Sequence, residues 1–121
     1  MADEARLICE SAALIEGGLG IRFEVVQGGQ TLPAFVVRFQ GRPHAYLNQC
    51  GHVPVELDWQ EGAFFDADGA YLICSTHGAL YSPDTGQCIS GRCNGKGLTR
   101  LKVVEENERV FLFSNDKEQT D

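Results

Sequence analysis

The alternation of apolar and polar positions reads as a succession of short β segments. Ile21-Arg22-Phe23-Glu24-Val25 alternates with the period of two that marks a half-buried strand. Gly28-Gly29 predicts a turn, and residues 34–39 form a β-branched and aromatic run. Gly41-Arg42-Pro43 then turns the chain into His44-Ala45-Tyr46-Leu47-Asn48, which predicts a hairpin. Phe64-Phe65 and Tyr71-Leu72-Ile73 flank a turn at Asp66-Ala67-Asp68-Gly69 and predict another, ending at Cys74. The last strands are expected over residues 98–104 and 109–113, on either side of Glu105-Glu106-Asn107. Near the start, Leu7-Ile8-Cys9 offers a first short strand, and residues 11–16 an apolar-rich bend closed by Gly17-Gly18. Residues 56–59 read equally well as one helical turn or as irregular loop. No segment supports a long helix. The expected fold is all-β, an antiparallel sandwich or small barrel in a single domain over residues 1–121. Residues 114–121 read as a polar tail.

Composition narrows the class. An apolar content of 43% in 121 residues is enough for one modest core. A net charge of −7 argues against nucleic acid and fits a protein steered toward basic partners. Met1-Ala2-Asp3-Glu4 carries acid where a signal peptide needs base, and no apolar run reaches membrane-spanning length. The expectation is a cytoplasmic protein, where thiols stay reduced. Five cysteines cannot all pair internally, which weakens a disulfide-framework reading. Cys9 is expected to be a small buried hydrophobe. Cys88 and Cys93, five apart across a Gly turn, could pair on oxidation, but two buried thiols are the expected state in a reducing compartment.

The candidate chemistry lies in Cys50-Gly51-His52 and Cys74-Ser75-Thr76-His77, separated by 21 residues. Each offers a thiolate and an imidazole close enough in sequence to reach one metal atom, or two adjacent ones, from a tight loop. Gly51 and Gly78 stand where backbone must approach a ligand closely, and Pro54 and Pro83 stop either loop from running on as regular structure. A structural zinc site could use the same donors, but its usual spacing pairs Cys with Cys and His with His. Mixing them in each loop suits an inner iron taking both thiolates and an outer iron taking both imidazoles, the ligation of a Rieske [2Fe-2S] centre. The charges of two ferric ions, two sulfides and two thiolates cancel, so such a centre accepts an electron more readily than an all-thiolate one.

From about residue 41 to residue 113 the chain resembles the Rieske ferredoxins. The residues that carry the resemblance are Cys50-Gly51-His52, Cys74-Ser75-Thr76-His77-Gly78-Ala79-Leu80-Tyr81 and Thr85-Gly86-Gln87-Cys88. The resemblance implies two larger antiparallel sheets with a small cluster-binding subdomain over roughly residues 46–95. It implies one [2Fe-2S] cluster held by Cys50, His52, Cys74 and His77, with the Tyr81 phenol placed to bond a ligand thiolate. High-potential Rieske proteins join the two ligand loops by a disulfide, but Val55 and Thr76 stand at those places here. The serine whose hydroxyl bonds a bridging sulfide is replaced by Ala79. Fewer hydrogen bonds to sulfur lower the potential, so a low-potential centre is expected. Arg92 follows Gly91 where a proline is common in the third loop.

A Rieske oxygenase holds a second, mononuclear iron through two His and a carboxylate. Of three His here only His44 lies outside the two motifs, and no Gly-x-Gly-x-x-Gly fingerprint for flavin or nicotinamide appears. The expectation is a one-electron carrier and not an enzyme, filled by a ferredoxin reductase and drained by a terminal oxygenase or reductase component. Two alternatives stand beside it: a small Rieske subunit of a larger, nitrite reductase-like enzyme, and a zinc module. Residues 53–91 hold six acids and no Lys or Arg, whereas residues 92–102 hold four bases and no acid. This stretch reads either as a steering face for basic partners or as ordinary solvated loops.

Overall fold

The computed structural model describes residues 4–49, 57, 62–66, 69–74, 78–91 and 97–114, with the side chains of residues 4, 5, 27 and 114 left aside. The chain opens with β1 (Glu4–Glu10), a 3-10 turn (Ser11–Ala13), β2 (Ile21–Gln27), β3 (Gln30–Phe39) and β4 (Arg42–Leu47). Short strands follow, β5 (Leu72–Ile73), β6 (Leu80–Tyr81), β7 (Cys88–Ser90) and β8 (Arg100–Leu101), and the chain closes with β9 (Val103–Glu106) and β10 (Arg109–Ser114). They build three antiparallel sheets, ordered β1-β10-β9, β2-β3-β4-β8 and β5-β6-β7. The expected all-β antiparallel architecture is the one observed.

The middle sheet is buried on both faces. Phe35 and Val37 of β3 and Tyr46 of β4 enter one apolar cluster with Leu72 of β5 and Tyr81 of β6. Ala34, Val36, Ala45 and Leu47, the alternate positions of the same strands, enter a second cluster with Val110 and Leu112 of β10. Because side chains alternate across a strand, a strand covered on both faces must be apolar at consecutive positions. That is why residues 34–37 read as an unbroken run. In the first cluster the rings of Phe35 and Phe64 stack with centroids 3.9 Å apart.

Two details differ from expectation. The single strand expected over residues 98–104 divides at Lys102: Leu101 pairs with Ala45 in the middle sheet, and Val103 with Leu112 in the outer one. The Lys102 carbonyl accepts from the Phe113 amide at 3.0 Å, so the crossing residue keeps a main-chain bond while the chain changes layers. The first strand is also longer than the three residues expected, because β1 pairs with β10 along its length. The expected hairpin at residues 64–73 forms through a bridge between Phe65 and Leu72, with the Asp66 carboxylate accepting from the Ala70 and Tyr71 amides.

Candidate metal centre

Strand β5 delivers Cys74 to the mouth of a tight hairpin. The Cys74 amide donates to the Ala79 carbonyl at 2.9 Å, and the Gly78 amide donates to the Cys74 carbonyl at 2.7 Å. Gly78 turns with φ +74, a conformation that glycine adopts without strain. Leu80 and Tyr81 then pair back onto Ile73 and Leu72. The Cys74 side chain is fully buried among Phe64, Leu72, Ala79 and Tyr81. The structure therefore brings together two of the expected site residues, Cys74 and Tyr81, in one cluster. Cys50, His52 and His77 lie outside the described residues, as do Gly51, Pro54, Val55 and Thr76.

The segment that carries Cys50 and His52 is anchored at both ends. On its near side the Leu47 amide donates to the Thr99 carbonyl at 2.9 Å and the Asn48 amide to the Pro33 carbonyl at 2.8 Å. On its far side the Leu57 amide donates to the Asn48 carboxamide oxygen at 2.8 Å. Asn48 and Leu57 are both fully buried. Sequence reasoning missed both. The signal was a polar residue ending an apolar strand just ahead of a candidate ligand, where a buried amide must find partners.

The third loop begins at a close contact with the second hairpin. Strand β7 leads into Gly91, whose φ is +101 and whose missing Cβ would lie 2.7 Å from the Ala79 Cα. No other residue fits that approach. The loop returns through Leu98, whose amide donates to the Gly86 carbonyl at 2.8 Å. A Cβ on Gly86 would lie 2.7 Å from the Tyr46 ring. The Tyr46 hydroxyl donates to the Pro83 carbonyl at 2.8 Å, and burial pushes its pKa up to about 12. Arg92 and Cys93 lie outside the described residues. Cys88 departs from the expected buried thiol: it is half-buried and disulfide-bonded. Cys9 is half-buried as well, packed against the second apolar cluster.

His44 is buried on β4, paired across the sheet with Val37, with its ring 6.4 Å from that of Phe39. Its Nδ1 has no hydrogen-bond partner among the described residues. Burial and then the Arg100 guanidinium hold its pKa below the ordinary value. Of the acids in the stretch 53–91, Asp66 is engaged in its own turn, and Asp84 accepts from the Ser82 hydroxyl, a bond that lowers its pKa. Arg100 donates to the Asp84 carbonyl. These two acids serve local structure first.

The residues present fit an iron–sulfur cluster. A buried cysteine sulfur, its backbone fixed on both sides by main-chain hydrogen bonds, is the soft donor iron–sulfur chemistry needs. The contact of Ala79 with Gly91 seats the start of the third loop directly against this hairpin.

A family model described as the Rieske [2Fe-2S] domain matches residues 6–111. No match is found among curated proteins. Among solved structures, the ferredoxin of carbazole 1,9a-dioxygenase from Nocardioides aromaticivorans IC177 superposes with a TM-score of 0.70 at 21% identity, over 89% of this chain and 95% of that one. A complex of reduced oxygenase and oxidized ferredoxin in carbazole 1,9a-dioxygenase matches with a TM-score of 0.68 at 21% identity, over 89% and 91%. The terminal oxygenase of carbazole 1,9a-dioxygenase from Novosphingobium sp. KA1 matches with a TM-score of 0.64 at 26% identity, over 99% of this chain and 31% of that one. These likenesses are of fold.

Proposed function

The chain belongs to the Rieske [2Fe-2S] domain family, and on that premise we propose that it is a one-electron carrier between a ferredoxin reductase and a terminal oxygenase or reductase component. Membership implies one Rieske-type [2Fe-2S] cluster. Cys50 and Cys74 would hold its inner iron and His52 and His77 its outer one, with the Tyr81 hydroxyl tuning a ligand thiolate. When bound, the cluster supplies a one-electron couple. The observation that carries the reading is the fully buried Cys74 side chain, fixed by main-chain bonds at the mouth of the β5–β6 hairpin in a domain of this family.

The chain's own residues support the finer points. Ala79 is fully buried with a methyl where a serine would offer a hydroxyl, which supports a potential toward the low end of the Rieske range. The third His, His44, is buried in the sheet opposite Val37. The partner class follows the complex of ferredoxin with oxygenase among the fold neighbours. No helix among the described residues is long and apolar enough to cross a membrane. Residues 1–121 form its single domain, with the cluster end at about 46–95.

Two experiments test this. Gel filtration of an extract from the native host should place the protein in the small, free fraction; co-elution with a larger enzyme would instead favour the permanent-subunit reading. The variant His77→Cys should keep a cluster but show a lower midpoint potential and a changed spectrum. An unchanged spectrum would remove His77 from the ligand set.

A further inference from the structure

The two ligand segments are closed by different means. The mouth of the Cys74 hairpin is closed by main-chain bonds, from Cys74 N–H to the Ala79 carbonyl and from Gly78 N–H to the Cys74 carbonyl, which need no particular side chain. Among the described residues, the segment between Asn48 and Leu57 is closed by a side chain. The Asn48 carboxamide oxygen accepts the Leu57 N–H at 2.8 Å, nine residues on, while the Asn48 N–H is tied to the Pro33 carbonyl at 2.8 Å on the neighbouring strand. Asn48 is fully buried, and a buried amide is retained in such a place only where it is bonded. Leu57 is fully buried in the cluster that contains Cys74, Ala79 and Tyr81. The carboxamide thus braces the β4 end against the core beneath the second ligand loop.

We propose that Asn48 is a positioning residue for the first ligand segment: its side chain pins together the two ends of the chain that carries Cys50 and His52, so that both ligands are held ready and the cluster is kept in place. The proposal rests on the reading of Cys50 and His52 as ligands. A segment pinned at its mouth has fewer conformations to lose on ligation, and a departing ligand stays near its iron. Without the brace the Leu57 N–H remains in the core with no acceptor, and the segment is free to open at its far end.

The test uses the holoprotein and compares Asn48→Ala with Leu112→Ala, a destabilising change in the opposite apolar cluster. Iron release to a ferrous chelator is followed by loss of the visible absorbance, unfolding in urea is followed on the same samples, and the reduced proteins are compared by electron paramagnetic resonance. Asn48→Ala should release iron roughly tenfold faster than wild type, the factor implied by a buried amide left without its acceptor. It should also shift the g-values. Leu112→Ala should release iron at close to the wild-type rate despite its lower urea midpoint. Equal release from the two variants, with wild-type g-values in Asn48→Ala, would overturn the proposal. If Asn48→Ala yields no folded protein, Asn48→Ser is judged by the same two readouts. A wild-type protein with no Rieske signal would instead overturn the functional reading.

Discussion

Gly91 and Ala79 touch where any other side chain at 91 would collide. A Cβ there meets the Ala79 Cα at 2.7 Å, at a backbone φ of +101. Gly91→Ala should therefore destabilise the protein by about 1–3 kcal/mol, read as a lower urea midpoint, and displace the third loop from the ligand hairpin. A second residue with a defined consequence is His44. Its folded pKa lies below the ordinary value of about 6.5 because burial, and then Arg100, disfavour the charged form. As pH falls through about 6.5 the unfolded chain takes the proton first. The stability that the neutral ring contributes is complete above that value and is lost as pH falls through the folded pKa. Wild type should lose more stability between about pH 7.5 and about pH 5.5 than His44→Gln does; parallel losses in urea titrations would contradict this assignment. At this scale the meeting of Cys74 and Tyr81 in one cluster was legible because they lie seven residues apart across one short hairpin. The Asn48–Leu57 bond and the Gly91–Ala79 contact were not, because each joins segments nine or more residues apart whose meeting depends on the whole fold.

At the scale of elements, three hairpins share one turn. Gly28-Gly29, Gln40-Gly41 and Asn107-Glu108 are two-residue connections with φ positive at both positions, the geometry that matches strand twist. Glycine suits it, and Gln40 is supported by the Glu16 carboxylate, which accepts from the Gln40 and Gly41 amides at 2.7 and 2.8 Å. Glu108 is the poorest fit, with φ +63. Glu108→Gly should stabilise the protein by about 0.5–1 kcal/mol by thermal unfolding, since a left-handed conformation strains a residue with a side chain. The first turn was legible from its glycines; the second was expected over residues 41–43 and stands at Gln40-Gly41, because Arg42 and Pro43 already pair in β4. The third was expected around residues 105–107, and the pairing of Glu106 with Arg109 puts it at residues 107 and 108. The break at Lys102 could not be read, because residues 98–104 present one β pattern and the change of layer is set by which strands stand opposite. Strand β7 is three residues long and paired irregularly to β6, too little sequence for periodicity to register.

Across the whole molecule, one arginine ties the N-terminal segment to two sheets. Arg38 on β3 makes a two-pronged bond to the Glu105 carboxylate of β9, at 2.7 and 3.0 Å, and donates to the Leu14 carbonyl at 2.8 Å and the Ser11 carbonyl at 3.3 Å. Its guanidinium holds the Glu105 pKa below the usual carboxylate range, so this contribution is present at neutral pH and lost as pH falls through the folded value. Arg38→Lys, which cannot reproduce the planar fork, should cost about 1–3 kcal/mol of stability at neutral pH and less in acid, measured by urea unfolding. This hub gives the segment from Ser11 to Leu14 its place, which no local pattern revealed. The all-β class was legible because alternation and turn residues recur along the chain, and two larger sheets with a smaller third followed from the family resemblance, whereas the burial of the middle sheet on both faces emerged only from contacts. The central claim concerns the [2Fe-2S] cluster. Its most direct test is an electron paramagnetic resonance spectrum of the dithionite-reduced protein, with iron and acid-labile sulfide counted on the same sample. Two irons and two sulfides per chain, with an average g clearly below that of all-thiolate clusters, are the result expected for Rieske ligation. A silent spectrum from a sample containing zinc would contradict it.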